Sequence, residues 1–335
     1  MAPSLLKEEP LGTKQQFHNG ANNIQNGSQT IESNMHFLER SNLYNKEKPY
    51  SMRYQPDDDL PQSNFSFEKR TITVRSMREG GPYKLNECGF ERIDFPSKMT
   101  YEDFWDHGKV QTQYLDEVKT ALKKSLNAKY IYVLDYAVRK RERSFPVSTG
   151  EEYAYDQPAS VSHIGIVINC KWPTTLMSID FTFREGERII GVLFGDRANE
   201  VLAGHWQFVN IWKPIRGPLN DWPLAIADAR TVDWENDLAP SDIVFDDFVT
   251  ENIQIYHNSA HKWYYLPDHK VSEALIFKSA DGAHTTAPAA PHSACPNPNS
   301  SPDELRESLD CRCIAFFADL RKYPPVVGHF HNVHK

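Results

Sequence analysis

The stretch Gln207-Phe208-Val209-Asn210-Ile211-Trp212 begins a series of short segments rich in aromatic and β-branched residues. Such segments favour β-strands. Five more follow, within residues 222–228, 252–256, 262–266, 273–278 and 311–317. Turn residues separate them at short intervals, which is typical of an antiparallel sandwich or barrel.

Helical and extended segments precede this series. Residues 101–127 have helical spacing, because Tyr114, Val118, Leu122 and Leu126 fall on one face. A second helix is predicted near residues 185–202, and strands are predicted at 69–76 and 129–138. This order predicts an α+β chain whose core is a double-stranded β-helix (jelly-roll or cupin-like), with flanking helices.

Composition divides the chain into three parts. Residues 1–62 are rich in Asn, Gln, Ser, Lys and Glu, so we expect them to be disordered, since they bury too little apolar surface to offset their ordering entropy. The jelly-roll domain is expected over residues 63–322. Residues 323–335 are expected to be a tail, and its three histidines are interpreted as adventitious.

Charge and cysteine content exclude several classes of protein. The formal net charge of −8 argues against nucleic-acid binding, and the basic run at 139–141 is interpreted as a solvated strand or helix end. The five cysteines lack the even spacing of a disulfide framework, which indicates a reducing compartment; Cys311 and Cys313 are expected to face the core. Without an evident signal peptide or membrane-spanning segment, we expect a cytoplasmic protein with no membrane partner.

Two histidines carry the candidate chemistry. A ferrous site uses two histidines and one carboxylate on one face of the metal, and the first two ligands commonly come as His-x-Asp on one strand. His163 and His292 are the candidate histidines. Arg306 and Ser308 follow His292 and could hold a carboxylate beside the metal, because a planar guanidinium pairs with a carboxylate through two hydrogen bonds. Arg312, on the same strand face, is the second choice.

Simpler interpretations of the same residues remain open. A histidine after proline is more often exposed or half-buried than a ligand. Arg306 could instead form a surface salt bridge with Glu304 or Asp310.

Several blocks of the chain, in order, resemble a fungal hydroxylase/desaturase family that includes a gibberellin desaturase. Residues 206–225 (WQFVNIWKPIRGPLNDWPLA) are similar to its "NvWRPi-gPv-d-PLA" signature, and residues 261–268 and 273–281 to its "HrWYY" and "dEvLl-K-yDS" blocks. Residues 291–294 and 306–312 are similar to its "pHsaF" and "RESiEvR" end. The resemblance covers about residues 65–320.

The resemblance implies a non-haem Fe(II) enzyme that uses 2-oxoglutarate on a small molecule of fungal secondary metabolism. It implies His163, Asp180 and His292 as metal ligands, and Arg306, Ser308 and Arg312 around 2-oxoglutarate. His261, Trp212 and Tyr264 are candidate substrate-binding residues.

One departure from the family pattern splits its His-x-Asp motif. Gly165 stands where the aspartate belongs, and Asp180 follows a fifteen-residue block, 165–179. Without that block the chain would be continuous as His-Ile-Asp-Phe-Thr-Phe. We hypothesise that these residues translate a retained intron; a genuine loop insertion is the alternative. With the insert, the chain could instead be catalytically impaired or a non-catalytic relative that binds a small metabolite.

Overall fold

The computed structural model describes residues 30–57, 59–146, 153–165, 181–247, 249–283 and 287–320, except the side chains of residues 181–184. The strands are β1 Ile31–Leu38, β2 Tyr50–Met52, β3 Phe67–Ser76, β4 Phe90–Asp94, β5 Tyr130–Lys140, β6 His163–Gly165, β7 Trp206–Pro214, β8 Leu224–Ala227, β9 Leu238–Val244, β10 Val249–Ile255, β11 Trp263–Tyr265, β12 Glu273–Asp281, β13 His292–Ala294 and β14 Glu307–Phe316. The α-helices are α1 Leu85–Cys88, α2 His107–Lys109, α3 Leu115–Leu126, α4 Phe181–Phe194 and α5 Ala198–Leu202. A π-helical segment, Val110–Tyr114, joins α2 to α3, and single 3₁₀ turns lie at Asn42–Asn45, Glu102–Trp105, Gly195–Arg197 and Ala229–Thr231.

Within the described residues the strands form two sheets. The larger has nine strands in the order β1-β3-β11-β8-β13-β6-β10-β9-β2, and the smaller has five in the order β4-β12-β7-β14-β5. The larger sheet is mixed, because β11 pairs with β3 and β2 with β9 in parallel, whereas the smaller sheet is antiparallel. The α+β class and the predicted run of strands are confirmed.

The two sheets face each other through an apolar layer. Trp212 and Phe277 from the smaller sheet pack in one cluster with Leu224 and Ile226 from the larger. Burying each of these side chains contributes about 2 kcal/mol. The layer thus places β7, β12, β8 and β13 around one interior space, which holds the candidate site.

Helix α3 covers the outer face of the smaller sheet. Val118 and Leu122 are fully buried in a cluster with Cys311, Cys313 and other residues of the sheet. Acidic residues lie in the first turn of α3 and lysines in its last, which matches the helix dipole. Asn127 ends the helix in the left-handed conformation, with φ of 54°. The helix predicted over 101–127 is confirmed from His107 to Leu126, whereas Glu102–Trp105 form a separate 3₁₀ turn. The prediction that Cys311 and Cys313 face the core is confirmed.

The prediction of disorder over residues 1–62 is wrong for residues 31–52. Ile31, Ser33, Met35 and Phe37 alternate inward along β1 and are buried, and β1 pairs antiparallel with β3 over its whole length. Composition misled the prediction because the strand is also rich in polar residues, several of which point outward. Residues 1–29, and the tail expected at 323–335, lie outside the described residues.

Candidate metal centre

His163 and His292 meet on neighbouring strands of the larger sheet. His163 begins β6, His292 begins β13, and the two are directly opposite in the antiparallel pairing of these strands. Residues opposite each other in such a pair point to the same face. Their ring centroids are 4.5 Å apart. The sheet therefore brings together two residues that are distant in sequence.

Both imidazoles are held in the same orientation. His163 Nδ1 lies 2.8 Å from the carbonyl oxygen of Val161, and His292 Nδ1 lies 3.1 Å from that of Ala290. Because a carbonyl only accepts, each Nδ1 carries the proton and donates, which leaves the Nε2 lone pair for a metal. Burial lowers the pKa of both histidines, so both are neutral at pH 7, the form that binds metal.

A cavity of about 60 Å³ adjoins the two rings. It lies between the sheets, and its walls mix apolar, amide and charged groups. The lining residues are Arg139, Ala159, His163, Gly165, Asn210, Trp212, Leu224, Phe277, His292, Ala294, Arg306, Asp310 and Arg312.

Arg306 is a buried cation in the wall of this cavity. Its Nε donates to Ser308 Oγ at 3.1 Å, and its Nη1 donates to the Trp222 carbonyl at 2.7 Å. The guanidinium lies 4.8 Å from the centre of the Trp212 ring. Burial lowers the pKa of Arg306 to about 9. No carboxylate of the described residues forms a salt bridge with it, so a carboxylate ligand would supply the missing counter-charge.

The other two arginines of the cavity wall already have partners. Arg312 pairs with Asp135, which raises the pKa of Arg312, and Arg139 lies 3.3 Å from Asp310. These contacts favour Arg306 over Arg312 as the carboxylate-binding arginine. The interpretation of residues 139–141 as a solvated charge run is wrong, since Arg139 lines the cavity and Arg141 is buried against Asp221.

The described residues provide no third metal-binding side chain beside the two histidines. No group of three His, Cys, Asp or Glu side chains with metal-binding geometry occurs in the described part of the chain. Gly165 shares the strand face of His163 and lines the cavity, so a carboxylate side chain at this position would point to the same side of the sheet as the two imidazoles. Asp180 and residues 166–179 lie outside the described residues.

The structure separates the three candidate substrate-binding residues. Trp212 lines the cavity, and its buried Nε1 has no hydrogen-bond partner among the described residues. His261 does not line the cavity; its Nε2 lies 2.8 Å from Asp237 Oδ2 in the interior. Tyr264 packs against Tyr83 and Phe90 instead.

Several residues of the cavity wall were not singled out from the sequence. They include Asn210 and Phe277, whose ring centroid lies 4.5 Å from that of His292. The strand alternation Asn210-x-Trp212 places Asn210 on the same face as Trp212 and could have identified it.

Comparison with known proteins shows which family the chain belongs to. Residues 35–316 match the family model described as an oxidoreductase/YMDC permease-like domain, and the chain belongs to that family. The alpha-ketoglutarate-dependent dioxygenase tstK of Talaromyces stipitatus is 27% identical over 250 residues, which span 73% of this chain and 84% of tstK. The hydroxylase/desaturase efuI of Hormonema carpetanum is 25% identical, over 77% of this chain and 87% of efuI.

A solved structure shares the fold. The iron and alpha-ketoglutarate-dependent endoperoxidase NvfI superposes with a TM-score of 0.71 at 24% identity, over 86% of this chain and 98% of NvfI. The predicted relationship to fungal Fe(II)- and 2-oxoglutarate-dependent hydroxylases and desaturases is confirmed. Among the described residues, no helix is both long and apolar enough to cross a membrane.

Proposed function

We propose that this chain is an Fe(II)- and 2-oxoglutarate-dependent oxygenase that hydroxylates or desaturates a small molecule of fungal secondary metabolism. The observation that carries the proposal is the pair of Nδ1-anchored imidazoles beside a buried arginine without a carboxylate partner among the described residues. The relatives named as dioxygenases and hydroxylase/desaturases support it. The two facing sheets are the architecture expected of a jelly-roll core.

The residues present fit both groups. His163 and His292 would bind Fe(II) through Nε2, with Asp180 as the proposed third ligand. Arg306 and Ser308 would bind the distal carboxylate of 2-oxoglutarate, since Arg306 is buried, cationic and anchored at Nε by Ser308. Phe277 and Leu224 would exclude water from the site. Bound there with 2-oxoglutarate and O₂, Fe(II) would supply the oxidising power needed to remove hydrogen from an unactivated C–H bond.

Metal content and succinate release test this proposal. Two proteins would be compared: the chain as given and the chain without residues 165–179, in which Asp180 follows His163-Ile164. We expect the shortened chain to bind one Fe(II) per protein and to release succinate from 2-oxoglutarate, and the full chain to bind iron more weakly.

The shortened chain with His292→Ala is the control and should lose both properties. If neither the full nor the shortened chain bound Fe(II) or 2-oxoglutarate, the proposed function would be wrong.

A further inference from the structure

Strand β10 has an unusual distribution of polar residues. Thr250, Asn252 and Gln254 alternate with Ile253 and Ile255, a pattern that ordinarily places the polar side in water. Here both sides are buried. Ile253 and Ile255 belong to the apolar cluster that includes Phe37 and Trp263, while the exposed fractions of Asn252 and Gln254 are 6% and 5%. The polar face of β10 therefore points into the interior.

The register of the larger sheet places this face beside the metal centre. Gln254 lies directly opposite His163, and Asn252 lies opposite Gly165. The strand order β13-β6-β10 puts Gln254 on the side of His163 away from His292. Opposite residues in an antiparallel pair have Cβ atoms about 5 Å apart. Gln254 is thus a neighbour of one proposed iron ligand.

A chain of hydrogen bonds sets the orientation of Gln254. Ser241 Oγ donates to Asn252 Oδ1, and Gln254 Nε2 lies 3.4 Å from the same oxygen. In this arrangement Asn252 Oδ1 accepts from both Ser241 Oγ and Gln254 Nε2. The other amide atom, Gln254 Oε1, is buried and has no hydrogen-bond partner among the described residues. A buried acceptor of this kind is costly unless a ligand pairs with it.

From this geometry we propose that Gln254 positions the organic substrate by accepting a hydrogen bond from it. The inference rests on the proposed oxygenase function and narrows its substrate class. The substrate carries a hydroxyl or N–H group within a few bonds of the carbon that reacts. Asn252 and Ser241 act through Gln254 by holding its amide in place.

A first test uses small probes in crystals of the protein loaded anaerobically with Fe(II) and 2-oxoglutarate. The crystals are soaked in 2-propanol, which can donate a hydrogen bond, or in acetone, which cannot. We expect the hydroxyl of 2-propanol within hydrogen-bond distance of Gln254 Oε1, no acetone at that place, and no alcohol there in the Gln254→Met variant. Acetone in the same position, or 2-propanol absent from it in the wild type, overturns the proposal.

A second test is kinetic and uses a substrate found by screening for 2-oxoglutarate consumption. Gln254→Met keeps the length of the side chain and removes the acceptor. We expect a roughly 10- to 100-fold fall in kcat/KM, as for loss of one well-placed hydrogen bond, and more 2-oxoglutarate consumed per product. The affinity for 2-oxoglutarate should stay within about twofold, because Arg306 is unaffected.

The matched control is Gln62→Met, since the Gln62 amide nitrogen donates to the backbone carbonyls of Met52 and Tyr54 and Gln62 does not line the cavity. Equal kcat/KM in Gln254→Met and Gln62→Met would overturn the role of Gln254 and leave the oxygenase function intact. If neither the full chain nor the chain without residues 165–179 bound Fe(II) or 2-oxoglutarate, both proposals would be overturned.

Discussion

Replacement of Arg306 tests the proposed role of this residue in binding the carboxylate of 2-oxoglutarate. Two of the five guanidinium N–H groups are used by Ser308 Oγ and the Trp222 carbonyl, which leaves three for a ligand. Removing one partner of a buried, hydrogen-bonded charge pair costs about 2–5 kcal/mol. Arg306→Gln should therefore weaken 2-oxoglutarate binding by roughly 30-fold to 1,000-fold or more. Arg306→Lys keeps the charge but loses the two-pronged geometry, so we expect an intermediate loss.

The measurement is calorimetric titration of the Fe(II)-loaded protein with 2-oxoglutarate in the absence of O₂. Arg78→Lys is the control, because the Arg78 guanidinium already pairs with Glu273 through two hydrogen bonds and does not line the cavity. It should leave the affinity unchanged. If Arg306→Gln bound 2-oxoglutarate as tightly as Arg78→Lys, the assignment of Arg306 would be refuted.

Three further predictions concern the metal ligand, an interior pair and a buried lysine. Gly165→Asp adds a carboxylate two residues after His163, and we expect it to bind Fe(II) at least about 10-fold more tightly than Gly165→Asn. Loss of a residue that only orients a metal ligand already lowers metal affinity by about 10-fold, so a direct ligand should contribute at least as much. Equal iron content in the two variants would contradict this prediction. His261→Ala should lower the free energy of unfolding by about 2–4 kcal/mol, because Asp237 loses a buried partner, while 2-oxoglutarate affinity stays the same in calorimetry. Burial lowers the pKa of Lys213 from 10.5 to about 8. Between pH 8 and 10.5 the unfolded state therefore binds more protons at this lysine than the folded state does, so the free energy of unfolding of the wild type rises with pH over this range. Lys213→Met should therefore raise the free energy of unfolding by about 2 kcal/mol at pH 7. This figure allows for the loss of the favourable contacts between the Lys213 ammonium group and the rings of Phe95 and Phe104. In urea titrations the difference in stability between the variant and the wild type should disappear by pH 10.5.

The local sequence pattern was sufficient to predict the helices and strands that pack one face against the core. The helical spacing of Val118 and Leu122 and the apolar run in β5 predicted α3 and β5 because each buries a face whose period the sequence displays. Strand β1 was not predicted because it is stabilised by pairing with β3, which is distant in sequence, and composition alone does not reveal that pairing.

The residues of the candidate metal centre were predicted only where a motif or the family resemblance pointed to them. His163, His292 and Arg306 were identified in this way, and the structure brings them to one cavity. Gln254 was missed for a physical reason. Alternation of polar and apolar residues in a strand shows that its two faces differ. When both faces are buried, the alternation does not show which of them lies on the side of the candidate metal centre. The register between β6 and β10 resolves this, and register depends on the whole sheet.

The position of α4 bears on whether residues 165–179 belong in the working protein. Glu185, in the first half of α4, accepts a hydrogen bond from Thr250 on β10 at 3.0 Å, and β10 is the strand next to β6. Glu185 lies four residues beyond Phe181, a rise of about 6 Å along a helix. The first residue of α4 therefore lies about one helical turn from the contact that joins Glu185 to β10. In a shortened chain Asp180 would follow Ile164 and take the strand position of Gly165, on the face of His163, and the first turn of α4 would adjust to connect to it. We expect the shortened protein to unfold at the same or a higher temperature than the full chain. A shortened protein that failed to fold would show instead that the fifteen residues are a structural part of the domain.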